Sequence, residues 1–367
     1  MANNNKGKIA LYLPSLRGGG VERVMLNLAR GFVERGFSVD LVLVNAEGPY
    51  LKEVPIEVRV INLSSRRVLT SMPGLVCYLY RERPTVMLSA MVHANLVAIW
   101  ASLITRKTRI VVSVHNTISQ RMNLSSIKSK LWIMLIRIFF PFAKSVVFVS
   151  EAAKNDFLLV TKLDPNHVNV IYNPVVTPEL IDKARESLQH PWFELGEPPV
   201  FLAIGRLTKE KDFTTLINAF TQVRKELRAR LIILGEGKMR QQLENIVMKF
   251  NVEDDVCLPG FVKNPYAYMS RAKVFVLSSE TEGLPTVLIE ALAIGISVVS
   301  TDCPSGPAEI LNHGEYGLLV PVGDVKSLAN AMLVSLQSEV VDREGRRSLS
   351  EFSLDEITTQ YLEVLFS

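Results

Sequence analysis

Glu282 and Glu290 stand eight positions apart in Ser279-Glu280-Thr281-Glu282-Gly283-Leu284-Pro285-Thr286-Val287-Leu288-Ile289-Glu290. A largely apolar run, Ala272 to Leu277, precedes them and reads as a buried strand. A good helix former, Leu288 to Ala293, follows. The first glutamate therefore belongs to a strand-to-helix loop, and the second to the opening turns of the helix. One carboxylate lies at the mouth of an α/β crevice and the other about one turn in, with backbone N–H groups between them that can hold an anion. Sugar hydroxyls and phosphate are the guests such a site suits.

Three further loops can serve the same chemistry. Gly205-Arg206-Leu207-Thr208-Lys209-Glu210-Lys211-Asp212 follows a strand, and Arg206 with Lys211 can clamp a diphosphate, one as a planar fork and one as a point charge. Solvated surface cations are the plainer reading, but the strand's carboxyl end is where such sheets bind ligands. Leu16-Arg17-Gly18-Gly19-Gly20-Val21-Glu22-Arg23 lies between the first strand and a helix from Val21 to Gly31. Gly19 and Gly20 permit close backbone approach to an anion, although a tight Gly-rich turn explains them equally well. The loop has neither dinucleotide nor P-loop spacing, which disfavours a nicotinamide dehydrogenase. His115 ends the strand Ile110–Val114, just before Asn116 and Thr117, and can donate to a sugar hydroxyl or be a satisfied structural histidine. Gly237 and Val262 sit in two more strand-end turns. Thr301 to Ile310 forms another strand-to-helix loop with a carboxylate towards each end.

These loops need parallel sheets to position them, and the chain supplies the pattern. Strand-like runs alternate with helices at Ile9–Leu13, Ser38–Val44, Val58–Ile61, Val86–Leu88, Ile110–Val114 and Val146–Val149. They resume at Val200–Ile204, Leu231–Leu234, Val256–Leu258, Val274–Leu277, Ser297–Ser300 and Gly317–Val320. The fold class is α/β, with two parallel-sheet domains and crossover helices. The expected division is 1–175, a linker over 176–199 rich in proline around His190–Pro199, 200–350, and a C-terminal segment 351–367.

Composition narrows the partners. Residues 1–190 hold 24 Lys and Arg against 13 Asp and Glu, and residues 191–367 hold 17 against 24. Between Arg83 and Ser150 there are nine basic residues and no acidic one. The first domain is therefore expected to meet an anionic surface or ligand, and no motif for nucleic acid accompanies the charge. The three cysteines, Cys77, Cys257 and Cys303, are scattered, so neither a disulfide framework nor a zinc site is expected. No signal peptide is expected ahead of the first strand. Pro84 to Thr105 is uncharged over 22 residues but divides into strand, loop and helix. Lys128 to Lys144, with Trp and Phe among basic residues, reads either as a core helix or as a helix lying in a membrane interface.

In order along the chain, Gly-Gly-Val-Glu-Arg-Val at 19–24, His115, Asn173-Pro174-Val175, Gly205-Arg206-Leu207, Lys211, Leu234-Gly235-Glu236-Gly237, Glu282-Gly283-Leu284-Pro285, Glu290-Ala291 and Gly317-Leu318-Leu319-Val320 resemble the retaining, nucleotide-sugar-dependent glycosyltransferases of family 4. The resemblance implies a GT-B fold, two Rossmann-like domains facing a cleft, with the C-terminal helix, about Leu354 to Leu365, returning to the first domain. It implies that Glu290 binds the ribose hydroxyls and that Arg206 and Lys211, with Gly205, neutralise the diphosphate. Gly19 or Gly20 would approach it from the first domain. Gly283, Leu284 and Glu282 would fix the sugar, with Thr286 beside them, and Gly237 and Val262 would line the nucleotide. His115 would face the transferred sugar.

No metal and no cofactor beyond the donor are implied. Asp212 departs from the family pattern, which often has glycine there, and an acid beside Lys211 would weaken phosphate attraction slightly. The Thr301–Pro307 stretch is similar to members acting on lipid-linked or surface oligosaccharides with UDP-hexose or UDP-N-acetylhexosamine donors. A polyprenyl-diphosphate-linked acceptor, cytoplasmic location and peripheral contact with the inner face of the membrane are the corresponding expectations. A GT-B nucleotide-sugar 2-epimerase and a non-catalytic sugar-nucleotide-binding relative are the alternatives.

Overall fold

In the computed structural model the described residues are 7–115, 126–164, 167–304, 306–337 and 347–367. Asn116, Thr117, Ser305 and the first six residues, where a leader was considered, lie outside them. The chain divides into two compact units: Met1–Val175 with Glu351–Ser367, and Val176–Ser350.

The first unit is built on a sheet of seven parallel strands in the order β3-β2-β1-β4-β5-β6-β7. These are β1 (Lys8–Leu13), β2 (Ser38–Leu43), β3 (Arg59–Asn62), β4 (Val86–Ala90), β5 (Arg109–Val114), β6 (Ser145–Phe148) and β7 (Val168–Val170). Leu11 on the central β1 pairs with Leu41 on one side and Leu88 on the other. Helices cover both faces, so inner strands are buried on both sides and read as unbroken apolar runs. The edge strand β7 was missed in the sequence because it is three residues long with Asn169 at its centre.

Pro84–Thr105 resolves into β4 and a helix, Val92–Thr105, whose Leu96, Val97, Ala98 and Ile99 are fully buried. Among the described residues no helix is long and apolar enough to cross a membrane. The C-terminal helix Leu354–Phe366 packs on the first helix, Gly20–Glu34. Phe366 stacks on Phe37 at 5.2 Å between ring centroids, and Arg35 pairs with Asp355 at 2.7 Å.

The second unit has six parallel strands in the order β10-β9-β8-β11-β12-β13. They are β8 (Val200–Ile204), β9 (Arg230–Leu234), β10 (Val256–Gly260), β11 (Val274–Leu277), β12 (Ser297–Thr301) and β13 (Leu318–Val320). The expected linker 176–199 is corrected in its first half. Pro178–Arg185 is a helix, started by the Thr177 side chain accepting from the Leu180 N–H, with proline at the helix start where its missing N–H costs nothing. Leu180 and Ala184 are buried, while Asn264 and Ser270 donate to the carbonyls of Lys183 and Ala184. This segment is thus an integral part of the second unit.

Candidate active site

In a doubly wound sheet the chain leaves its first strand in both directions, and the loops on either side of that switch part to form a crevice. In the second unit the switch falls between β8 and β11. The two sequence loops richest in candidate chemistry, Gly205–Asp212 and Ser278–Thr286, are the ones that follow these strands.

They meet through Lys211 and Glu282. The Lys211 ammonium lies 2.5 Å from Glu282 Oε1, and the two side chains are only 19% and 12% exposed. Ser279 donates to the same Glu282 oxygen at 2.6 Å. Around this pair, Ser278 donates to the Lys211 carbonyl at 2.9 Å, the Glu280 N–H to the Glu210 carbonyl at 2.8 Å, and Thr301 to the Ser279 carbonyl at 2.7 Å. A charge-assisted bond held by neutral hydrogen bonds on three strand ends is a preorganised unit. Cys303 lies buried beside it; burial first, and then the Glu282 charge, push its thiol up to about 12. It therefore stays protonated and inert.

Lys211 rests its aliphatic stem against Gly205, where a Cβ would stand 3.3 Å from the Lys211 carbons. Arg206, next in sequence, is exposed and makes no ion pair with a described carboxylate. The departure at Asp212 has a structural reason. Its backbone is left-handed (φ 42°, ψ 48°), a conformation that suits glycine and, among other residues, Asp and Asn. Its carboxylate accepts from the Thr215 N–H at 3.1 Å and caps the helix Phe213–Glu226. The charge is thus committed to the helix start.

The helix Thr286–Ile294 begins after Pro285 without a side-chain cap, so its dipole faces the loop that holds Gly283 and Leu284. Glu290 is half-buried on this helix, and Tyr266 donates to its Oε1 at 3.3 Å. At Gly237 a Cβ would stand 2.3 Å from the Leu207 carbonyl oxygen, so this turn packs closely against the Arg206 loop. Val262 lies just past β10, half-buried, behind the 75%-exposed Phe261.

The remaining candidates belong to the first unit. Gly19 and Gly20 follow β1, and the Glu22 carboxylate folds back over Gly19, while around Gly20 there is open space. His115 ends β5; burial pushes its imidazole down to about 4, which keeps it neutral near neutral pH. Its Nε2 lies 2.9 Å from Ser113 Oγ. Ser278 and Tyr266 escaped the sequence reading, and Ser279 and Thr301 stood in its loops without an assigned role. Hydroxyl residues ending β11 and β12 were the only available signal. Among the described residues no three His, Cys, Asp or Glu side chains gather as a metal site would require.

Comparison with known proteins bears on the whole chain. The family model described as Glycosyltransferase Family 4 matches residues 18–178, and that of Glycosyl transferases group 1 matches residues 185–353. The chain belongs to the family 4 glycosyltransferases. Among its relatives is a Campylobacter jejuni enzyme, N-acetylgalactosamine-N,N'-diacetylbacillosaminyl-diphospho-undecaprenol 4-alpha-N-acetylgalactosaminyltransferase. It is 28% identical, over 90% of this chain and 91% of its own. A second C. jejuni N-acetylgalactosaminyltransferase, named for a diNAcBac-PP-undecaprenol-linked substrate, is 26% identical over 98% of each chain. Anabaena HepE, solved with UDP and glucose, superposes with a TM-score of 0.80 at 22% identity, covering 98% of this chain and all of that one. This family 4 glycosyltransferase thus has the GT-B fold, with Rossmann-like sheets of seven and six strands.

Proposed function

We propose that this glycosyltransferase moves a hexose or N-acetylhexosamine from a UDP-sugar to a polyprenyl-diphosphate-linked glycan, with retention of configuration, in cell-surface polysaccharide biosynthesis. The observation that carries the reading is the Lys211–Glu282 pair at the β8/β11 switch, with exposed Arg206 beside it. The relatives named for undecaprenol-linked substrates and the UDP-bound neighbour support the choice of substrates.

Bond cleavage at the anomeric carbon leaves negative charge on the departing diphosphate. Lys211 and Arg206 receive that charge, and the uncapped helix start at Thr286 adds its dipole. In meeting the diphosphate, Lys211 exchanges Glu282 for phosphate oxygens. Glu282 is then an acceptor for sugar hydroxyls alongside the Gly283 and Leu284 amides. Glu290, oriented by Tyr266, takes the ribose hydroxyls. The acceptor hydroxyl attacks on the face the diphosphate leaves, and its departing oxygen takes the proton. Two cations supply the neutralisation, so the mechanism requires no metal. Positioning and electrostatics suffice, and no covalent intermediate on Glu282 is invoked.

Donor binding gives a direct test. Ligand at 100 times Kd stabilises by about 2.7 kcal/mol, which for a unit of this size raises Tm by roughly 5–10 °C. UDP-hexoses or UDP-N-acetylhexosamines are expected to give that shift, and GDP- and ADP-sugars are not. A panel in which no UDP-sugar moves Tm, or in which a responding donor yields no product on a lipid-diphosphate-linked acceptor, overturns the assignment.

The same reading includes peripheral contact with an anionic membrane. The helix Ile127–Phe139 has two apolar faces. Ile136 is buried, with Trp132 and Phe139 packed against the core, whereas Ile127, Leu131, Met134 and Ile138 are 86%, 52%, 48% and 49% exposed. Their spacing of four, three and four residues aligns them along one outer stripe, continued by exposed Phe142. Lys128, Lys130 and Lys144 flank the stripe, so the 128–144 segment is a core helix on one side and fits an interfacial helix on the other. Wild type is expected to float with anionic vesicles at low salt, and Leu131→Asp with Met134→Asp to remain in the soluble fraction. Wild type that does not float ends this part of the proposal.

A further inference from the structure

The Gly-rich loop of the first unit holds a carboxylate that the proposed mechanism does not use. β2 and β3 lie on one side of β1, and β4 to β7 on the other. The first unit thus has a switch of its own, between the loops that follow β1 and β4. Glu22 stands in the first turn of the helix Gly20–Glu34 and is only 8% exposed. Its carboxylate lies over Gly19, where an added Cβ would stand 2.3 Å from Oε2. The Gly19 backbone, at φ −88° and ψ 166°, is open to any residue, so glycine serves there for space rather than conformation. Beside it the site is open, and nothing lies within 4 Å of a carbon added at Gly20.

A buried carboxylate ordinarily has a cation or hydrogen-bond donors around it. Among the described residues Glu22 has neither an ion pair nor a hydrogen bond to its carboxylate. The two arginines of its loop are committed elsewhere. Arg17 pairs with Glu47 at 2.5 Å, and Arg23 pairs with Glu53 while its guanidinium lies 4.1 Å from the Tyr50 ring centroid. A glutamate at the third helical position can also cap its helix by accepting from the N–H ahead of it. Glu22 holds that position after Gly19 and makes no such bond. The helix dipole favours its charge but leaves the oxygen lone pairs unmet, so what the carboxylate lacks is a donor.

A second anion here would be repelled, whereas a hydroxyl would donate a charge-assisted hydrogen bond. In the proposed mechanism the donor's hydroxyls already have carboxylates in the second unit, Glu282 for the sugar and Glu290 for the ribose. That leaves the other sugar substrate. We infer that Glu22 is an acceptor-binding residue, its carboxylate taking a hydrogen bond from a hydroxyl of the acceptor glycan in the open space at Gly20. The choice of ligand rests on the proposed glycan acceptor; the unmet carboxylate does not.

Two substitutions test it in the full-length enzyme. Glu22→Gln keeps the shape of the side chain without its charge, and Glu22→Ala removes the acceptor atoms. With a polyprenyl-diphosphate-linked oligosaccharide as substrate, Glu22→Ala should raise the acceptor KM about tenfold or more, and Glu22→Gln about threefold. The donor KM should move less than about twofold in both. Acceptors lacking one hydroxyl at a time locate the partner. One of them should bind wild type about tenfold more weakly than the parent, and Glu22→Ala no more weakly than the parent does. Without ligand, the Tm of Glu22→Gln should stay within about 2 °C of wild type or rise, because a buried charge is removed and no described partner is lost. A larger fall in Tm would assign the carboxylate to the fold and overturn the inference. So would an unchanged acceptor KM in Glu22→Ala, or a rise confined to the donor KM. Wild type that transfers nothing to such an acceptor overturns the proposed function and the ligand inferred here, and the Tm comparison still decides whether the carboxylate serves the fold.

Discussion

Lys211→Ala should lower kcat by about 30-fold or more, the equivalent of ~2 kcal/mol of transition-state stabilisation. The loss belongs to kcat, since the charge on the diphosphate is greatest as the glycosidic bond breaks. The same substitution should lower the stability of the unliganded enzyme, for a separate reason. Glu282 is 12% exposed, and its cationic partner is removed while Ser279 remains as a hydrogen-bond donor. Breaking one side of a buried pair costs ~3–5 kcal/mol, and the residual exposure and the Ser279 bond reduce this to roughly 2 kcal/mol. Adding Glu282→Gln removes the charge that Lys211 had balanced, so the double variant should regain most of the lost Tm and none of the lost rate. Single-turnover kinetics and thermal melts on both variants separate the two effects. Near-normal turnover by Lys211→Ala would remove the electrostatic basis of the proposed mechanism.

The sequence exposed the frame more readily than the wiring. Strands buried on both faces have to be continuous apolar runs, so β1, β2, β4, β5 and their counterparts in the second unit were visible as such. The short β7 and the helix Pro178–Arg185 escaped because neither carries a long apolar signature. Loop residues at the carboxyl ends of β8 and β11 were legible as candidates because charge and glycine cluster there. Their partners were not, since Lys211 and Glu282 are joined by strand order rather than by proximity along the chain. The same limit hid Tyr266 from Glu290. Asp212 shows the converse: a charge that looked adverse on paper is spent capping a helix, and only the backbone angles reveal it.

Gly235→Ala should be among the most damaging single-methyl changes in the second unit, although Gly235 touches none of the proposed ligand groups. Its backbone is at φ 138°, which side chains rarely adopt, and an added Cβ would stand 1.9 Å from the Gly205 carbonyl oxygen. That carbonyl adjoins Arg206 and belongs to the loop against which Lys211 rests. The neighbouring loops are tied to it at the backbone, Gly205 N–H to Leu234, Leu207 N–H to Glu236 and Gly235 N–H to Gly260, at 3.0, 2.9 and 2.8 Å. The methyl has nowhere to go without moving the loop that carries both cations. A cost of ~2–4 kcal/mol is expected from strain and overpacking together, with Tm lower by roughly 5–12 °C and donor affinity lower by tenfold or more. Gly196→Ala separates the two contributions, because its φ is 91° but nothing lies within 4 Å of the added carbon. Conformational strain alone should cost that variant about 1 kcal/mol and leave donor binding unchanged. If Gly235→Ala behaves like Gly196→Ala in both Tm and donor affinity, the β8 loop is not held by the turn beneath it, and the positions of Arg206 and Lys211 must be set elsewhere.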